Sequence, residues 1–175
     1  MPKNIKHYIL VAITLGTIGL ASAGLIGVAN LLTRDQIAQN EANKVKEGLN
    51  FIYGSNSTYG EYVEKEFGKY CVGYYEVKDS SDASIGKIFR TTGANMYGKI
   101  AMLVGVNEDL TLGKIYLVTN EQSYATTLVD NYVDPFNDGT HDFDDVKVGA
   151  TYGATLVHDM ANEAIEYATS LKGGE

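Results

Sequence analysis

The polar and apolar positions divide the chain early. Tyr8 to Leu32, YILVAITLGTIGLASAGLIGVANLL, holds no charged residue. At about 1.5 Å per residue a helix of that length crosses a hydrocarbon core of roughly 30 Å, so the pattern predicts one transmembrane helix. A cleaved signal peptide is the rival, since Ala21-Ser22-Ala23 has the small-residue pattern of a cleavage site after a basic start. The apolar run continues from Gly24 through Leu32, beyond a typical signal core, and no Cys follows that could serve as a lipid attachment point. The segment is therefore read as a retained anchor. Gly19, Ala23 and Gly27 recur every fourth residue, a stripe that lets another helix approach closely. Small residues are also ordinary in membrane helices, and both readings stand.

Beyond Leu32 the period becomes that of an amphipathic helix. Ile37, Ala38, Glu41, Ala42, Val45, Leu49 and Ile52 follow a 3.6-residue repeat with one polar interruption, and Thr33 is placed to cap its start. Thr33 to Tyr53 is thus a helical stalk, and YGSNSTYGEY, Tyr53 to Tyr62, a loop. KYCVGYYEVK, IGKIFRTTG and GKIAMLVGV are rich in Tyr, Val, Ile and Phe and read as strands. NEDLTLG then turns the chain into KIYLVTN, which makes Lys99 to Asn120 an antiparallel hairpin. EQSYATTLVDNYVDPFNDGTHDFDD has no clean period and reads as the working loop of the domain. The last element is an amphipathic helix with Leu156, Val157, Met160, Ala161, Ala164, Ile165, Ala168 and Leu171 on one face, ended by Lys172-Gly173-Gly174.

These elements predict an α+β fold: a transmembrane helix and stalk, then an antiparallel sheet packed by helices. The organisation is 1–7 cytoplasmic, 8–32 transmembrane, 33–53 stalk and 54–175 outer domain. Lys3 and Lys6 precede the span, while Arg34 after it stands among Asp35 and Glu41, which orients the N-terminus to the cytoplasm. All 22 acidic residues and 12 of the 14 basic ones lie beyond Leu32, so that part carries a formal charge of −10. Such a field repels nucleic acid and acidic membrane surfaces.

Cys71 is the only cysteine, which excludes an internal disulfide, an iron–sulfur cluster and a cysteine-rich zinc site. His7, His141 and His158 show no metal-ligand spacing. Asp134 to Asp145 superficially follows a calcium loop, with Asp138 and Gly139 in the fifth and sixth places. Phe136 occupies the third place, where a ligand is required, and Asp145 the twelfth, where Glu is usual, so a solvated acidic loop is the better reading. The thirteen tyrosines on a chain without Trp suit half-buried sheet faces, with no separate aromatic cage.

The candidate chemistry lies in DDVKVGATYGATLVHDM, where Gly-Ala-Thr occurs twice, four residues apart, at the entrance of the last helix. A helix N-terminus offers unpaired backbone N–H groups and the positive end of its dipole, so a phosphate held there needs no basic side chain. Gly149 and Ala150 leave the backbone approachable, and the Thr151 hydroxyl either caps the helix or carries a phosphoester. Capping by Thr151 or Thr155 is the plain alternative.

At these residues the chain resembles the G subunit of the Rnf electron-transport complex, and more broadly the FMN-binding domain family shared with the C subunit of the sodium-pumping NADH:quinone reductase. In that family an Asp is followed three residues later by Ser or Thr, then Gly-Ala-Thr, whose Thr is joined through oxygen to the phosphate of FMN. Here Asp145 is the acidic residue, Val148 replaces the hydroxyl residue, Gly149 and Ala150 match, and Thr151 falls on the flavin-bearing position. VANLLTRDQIAQNEA is similar to the family's membrane exit and NMYGKIAMLVGVNEDLTLGKIYLV to its central hairpin. NEQSYATTLVDN stands where a His/Glu-Thr-Pro-Gly-Leu-Gly type loop is usual, and Thr155 lacks an acidic residue six positions earlier.

The resemblance implies that residues 54–175 are an FMN-binding domain with FMN covalently attached to Thr151. Tyr152, Tyr124, Thr126 and Thr127 are expected to line the ring or ribityl chain, although a surface-loop role suits them equally. It further implies a redox subunit, not an enzyme alone, that relays electrons beside other membrane subunits of an ion-translocating ferredoxin/NAD oxidoreductase and is matured by a flavin transferase. Three alternatives remain: a stand-alone carrier of the same family; an anchored noncatalytic module that uses Glu121 to Asp145 to hold a cation or partner; and an anchored hydrolase with Thr151 or a serine as nucleophile. The hydrolase lacks a base at recognisable spacing, since His158 lies seven residues on and is expected to face another part of the helix.

Overall fold

The computed structural model describes residues 3–173, with the side chains at 3, 4, 27, 29–35 and 38 outside the description. Two compact units result, Met1–Asn43 and Lys44–Glu175.

The described residues of the first unit are helical, as part of α1 (Lys3–Tyr53). Ile5–Ile26 has a mean hydropathy of 2.2 and none of it is buried within the protein, so one helix is long and apolar enough to cross a membrane. The predicted end of that stretch at Leu32, Gly27 of the small-residue stripe, and the side chain of Thr33 fall outside the described positions. The backbone stays helical through position 33, so no helix starts there for Thr33 to cap.

In the second unit an antiparallel sheet is assembled from β1 (Thr58–Tyr59), β2 (Val63–Phe67), β3 (Cys71–Lys78), β4 (Ser84–Asn95), β5 (Gly98–Asn107) and β6 (Leu112–Asn120). The order is β1-β3-β4-β5-β6, with β2 also paired to β3. β4 and β5 pair without a register shift from Gly86↔Asn107 to Asn95↔Gly98, closed by the two-residue turn Met96-Tyr97. The β5–β6 hairpin expected between Lys99 and Asn120 is present, with bulges that offset its register twice.

Alternation along the strands sends two sets of side chains to two faces. Val77, Ile88, Leu103 and Val118 take one face, against Val45, Leu49 and Ile52 from the last turns of α1. Phe89, Ile100, Met102, Val104, Val106 and Ile115 take the other, against Leu156, Val157, Met160, Ala161 and Ala164 of α4 (Thr151–Lys172). β5 is covered on both faces, which is why it reads as an almost unbroken apolar run.

Two expectations change. β2 was not legible, because VEKEF is exposed at four of its five positions and so shows no apolar alternation. The stretch expected to be a loop is helical in its middle: α2 (Ala125–Leu128), a π-helical turn (Val129–Val133) and α3 (Asp134–Asn137). Its inward residues are Leu128, Tyr132 and Val133, and the wider π turn breaks the spacing that would have announced a helix.

α4 also secures the opposite sheet edge. The Glu163 carboxylate accepts from the backbone N–H groups of Lys69, Tyr70 and Cys71, the first and last at 2.8 Å, and so holds the turn between β2 and β3. Burial, followed by the charge of Glu163, pushes the Cys71 thiol up to about 12, which leaves the lone cysteine an inert core residue.

Candidate functional site

The repeat sits where α4 begins. Thr151 is the first helical residue and Ala150 precedes it as the cap position. A methyl group cannot accept a hydrogen bond, and among the described residues no side chain caps this end. The capping role considered for Thr151 or Thr155 is therefore absent: one is already inside the helix and the other is a turn further on. The Ala150 carbonyl accepts from the amides of Gly153 and Ala154, both at 2.9 Å. Among the described residues this leaves the amides of Thr151 and Tyr152 without a backbone partner, both on the positive end of the helix dipole.

Gly149 makes this entrance possible. Its φ is +83°, a left-handed conformation that costs an L side chain roughly 1–2 kcal/mol. Thr127 borders it, with a methyl 3.5 Å from where a Gly149 Cβ would stand.

Beside this turn lies a cleft of about 250 Å³ lined by Tyr97, Gln122, Tyr124, Leu128 and residues 149–153. Tyr124 and Tyr152 are 60% and 63% exposed, so the cleft opens between aromatic walls. The rings of Tyr97 and Tyr152 stand 5.2 Å apart at 37°. Asn95 joins the β4–β5 turn to α4: its side-chain Nδ2 donates to the Tyr152 carbonyl at 3.0 Å, and its Oδ1 accepts from the Tyr97 amide at 2.9 Å.

Of the residues singled out from the sequence, Gly149, Ala150, Thr151, Tyr152 and Tyr124 meet at this cleft. Thr127 touches its border, whereas Thr126, Thr155 and Asp145 are exposed and outside its lining. Tyr97, Gln122 and Leu128 were missed. The sheet-face reading of the tyrosines, with no aromatic cage, fails for Tyr97, Tyr124 and Tyr152, which gather at the cleft. For Tyr97 a signal existed, since an aromatic in a two-residue turn has no strand face to bury against. Gln122 and Leu128 carry no such mark.

Aromatic contacts order the acidic segment before the repeat. Tyr132 donates its hydroxyl to the Phe143 carbonyl at 2.6 Å. Phe143 stacks on His158 at 4.9 Å and contacts Phe136 at 5.0 Å. Burial first, then the charges of Asp144, Asp142 and Asp145, raise the Tyr132 phenol well above the ordinary tyrosine range. The carboxylates serve local turns: Asp142 Oδ1 accepts from the Asp144 amide and Asp145 Oδ1 from the Lys147 amide, each at 3.1 Å. Asn131 Nδ2 donates to the Val148 carbonyl at 3.1 Å, delivering the chain to Gly149. Among the described residues no group of three or more His, Cys, Asp or Glu side chains is placed to hold a metal ion.

His158 meets another part of α4, as expected, although on nearly the same side as Thr151. Seven residues return a helix to almost the same face, about 10.5 Å further along, and it is this axial distance that separates it from Thr151. Its imidazole instead meets Asp144 Oδ1 at 3.1 Å. Among the described residues no side chain hydrogen-bonds the Thr151 hydroxyl as a base would, which argues against a nucleophilic hydrolase.

Two comparisons bear on this arrangement. Residues 1–52 match the family model described as the RnfG N-terminal region. Comparison with curated proteins finds no match.

Proposed function

The match of residues 1–52 supports an RnfG subunit of the Rnf complex, and from that premise we propose that the second unit is an FMN-binding domain with the flavin joined to Thr151. The observation that carries this reading is the Thr151 hydroxyl on the first turn of an uncapped helix beside a tyrosine-walled cleft. At about 250 Å³ the cleft is below the roughly 300–1,000 Å³ of pockets that enclose a whole ligand, which suits a planar ring held in part, with its phosphate outside at the helix end. Gly153 supports the fit: a Cβ there would stand 3.1 Å from Leu128 and narrow the same cleft.

Each group then has a role. The free amides of Thr151 and Tyr152 stabilise the phosphate without a cation. In the attachment step Thr151 Oγ1 would lose its proton and take the bond to the flavin-bearing phosphorus of a flavin dinucleotide brought by the transferase, while the pyrophosphate P–O bond breaks and the other half leaves as a nucleoside monophosphate. Tyr97, Tyr124 and Tyr152 present ring faces for stacking. Bound there, FMN would supply the electron transfer, with the protein giving it position and access.

The covalent bond has a physical reason. A shallow site holds its ligand weakly, and a domain on the outer face cannot recover a lost flavin from the cytoplasm. The N-terminus faces the cytoplasm in this reading, with the anchor in the span of α1 and electrons relayed among the other membrane subunits of an ion-translocating ferredoxin/NAD oxidoreductase. The test is a denaturing gel of the native chain: a yellow-green fluorescent band is expected, carried by the peptide covering residues 148–172 and absent in Thr151→Ala. A colourless chain of unmodified mass, from a host that possesses the transferase, refutes the proposal.

A further inference from the structure

The inner wall of the cleft carries a polar group that phosphate attachment does not use. Gln122 is only 7% exposed, yet it lines the cleft. Its Nε2 donates to the Gly98 carbonyl. A carbonyl only accepts, so this contact assigns the amide: nitrogen toward the strand, oxygen away from it. Oε1 stands 3.4 Å from where a Gly153 Cβ would be, and among the described residues no donor reaches it. Among the described residues the buried side-chain oxygen that has neither partner nor solvent is Thr91 Oγ1, so Gln122 Oε1 keeps its open side on the cleft.

A buried carboxamide with one open acceptor and one unspent N–H is costly until something pairs with it. We infer that Gln122 recognises the imide edge of a planar ring stacked on Tyr97 and Tyr152. This rests on the flavin reading above and deepens it, because the pyrimidine end of a flavin has a ring N–H between two carbonyls. Oε1 accepts from that N–H, and the second Nε2 hydrogen donates to the neighbouring carbonyl. The tyrosines accept any flat ring, whereas Gln122 selects one with a donor beside an acceptor on its edge. Donation to a ring carbonyl also favours the electron-rich reduced form, so Gln122 raises the midpoint potential.

The test uses the full chain in detergent, from a host with the flavin transferase. Wild type, Gln122→Leu and Gln122→Glu are compared for attached flavin by peptide mass and for midpoint potential by spectroscopic titration. Measured on the flavin-bearing fraction of each chain, the expected result is a lower midpoint in Gln122→Leu and a still lower one in Gln122→Glu, where a negative charge opposes reduction. Attached flavin with an unchanged midpoint and spectrum in both variants overturns the inference. A second measurement needs no substitution at position 122. The Gln122 side-chain amide is expected to exchange its protons more slowly in the flavin-bearing chain than in flavin-free Thr151→Ala, and equal rates overturn the inference as well. A wild-type chain without flavin refutes the attachment proposal itself, which separates the two failures.

Discussion

Gly-Ala-Thr occurs twice in this protein and folds two ways. In the first copy Gly149 is left-handed, Ala150 occupies an uncapped helix end, and Thr151 opens α4 beside the cleft. In the second, four residues on, Gly153 and Ala154 are buried helical residues and Thr155 points to solvent outside the cleft lining. The two tripeptides have the same chemistry. What separates them is the segment each follows: the first leaves a loop tied down by Tyr132 and Asn131, while the second inherits a helix already formed. Free amides exist only in the first turn, so an anion is stabilised at one copy and not at the other.

The largest effect that can break this comparison is chemical. Thr151→Ala is expected to abolish covalent flavin completely, as read by in-gel fluorescence and peptide mass, and Thr155→Ala to leave it at the wild-type amount. A reversal of the two results would assign the reactive hydroxyl to the wrong copy.

Next comes the backbone. Gly149→Ala meets only an ordinary van der Waals contact, with Thr127 at 3.5 Å, so its cost is conformational. A loss of about 1–2 kcal/mol is expected in denaturant melts, along with slower flavin attachment, because the strained turn positions the hydroxyl. Gly153 is helical, and Ala there gains up to about 1 kcal/mol of helix propensity. That gain is opposed by the 3.1 Å approach to Leu128. Gly153→Ala should therefore shift stability by less than Gly149→Ala, while the narrowed cleft alters the visible spectrum of the flavin.

Tyr132→Phe sharpens the comparison from upstream. It removes the hydroxyl donated to Phe143 and should cost about 1 kcal/mol, loosening the approach to the first copy but not the helix that holds the second. The phenol is held protonated in the fold above its ordinary 10.0. Folding thus favours the protonated form, so its contribution is whole below pH 10 and is lost as pH rises through the raised value. The difference between wild type and Tyr132→Phe should shrink in strong alkali, measured by melting at stepped pH. The smallest expected effect belongs to the stability of Thr155→Ala, whose hydroxyl is exposed: a gain of about 0.5 kcal/mol from helix propensity.

Much of the architecture was legible because it follows from periodicity. Uncharged length from Tyr8 to Leu32 announced a membrane-crossing helix, whose apolar stretch is Ile5–Ile26, and the near-continuous apolar run announced β5. A 3.6-residue face announced α4, where six of the eight named positions are buried core. β2 escaped because a strand exposed on both sides has no apolar alternation to show, and the π-helical turn because its spacing matches neither common period. The site divides in the same way. Thr151, Gly149 and Ala150 stand together in the chain and could be picked out as a motif, while Tyr97 and Gln122 arrive from the β4–β5 turn and the end of β6.

The order of residues therefore determined by itself which segments are apolar enough to leave water, which face of the last helix is buried, and where a glycine, a small residue and a hydroxyl coincide. Only the tertiary structure decided that the first hydroxyl of two stands at open amides, that three tyrosines leave the sheet to wall a cleft, and that a glutamine is buried with its oxygen exposed to it. The physical reason is that burial patterns are local and repeat along the chain, whereas a cleft is made where distant segments meet without filling the space between them.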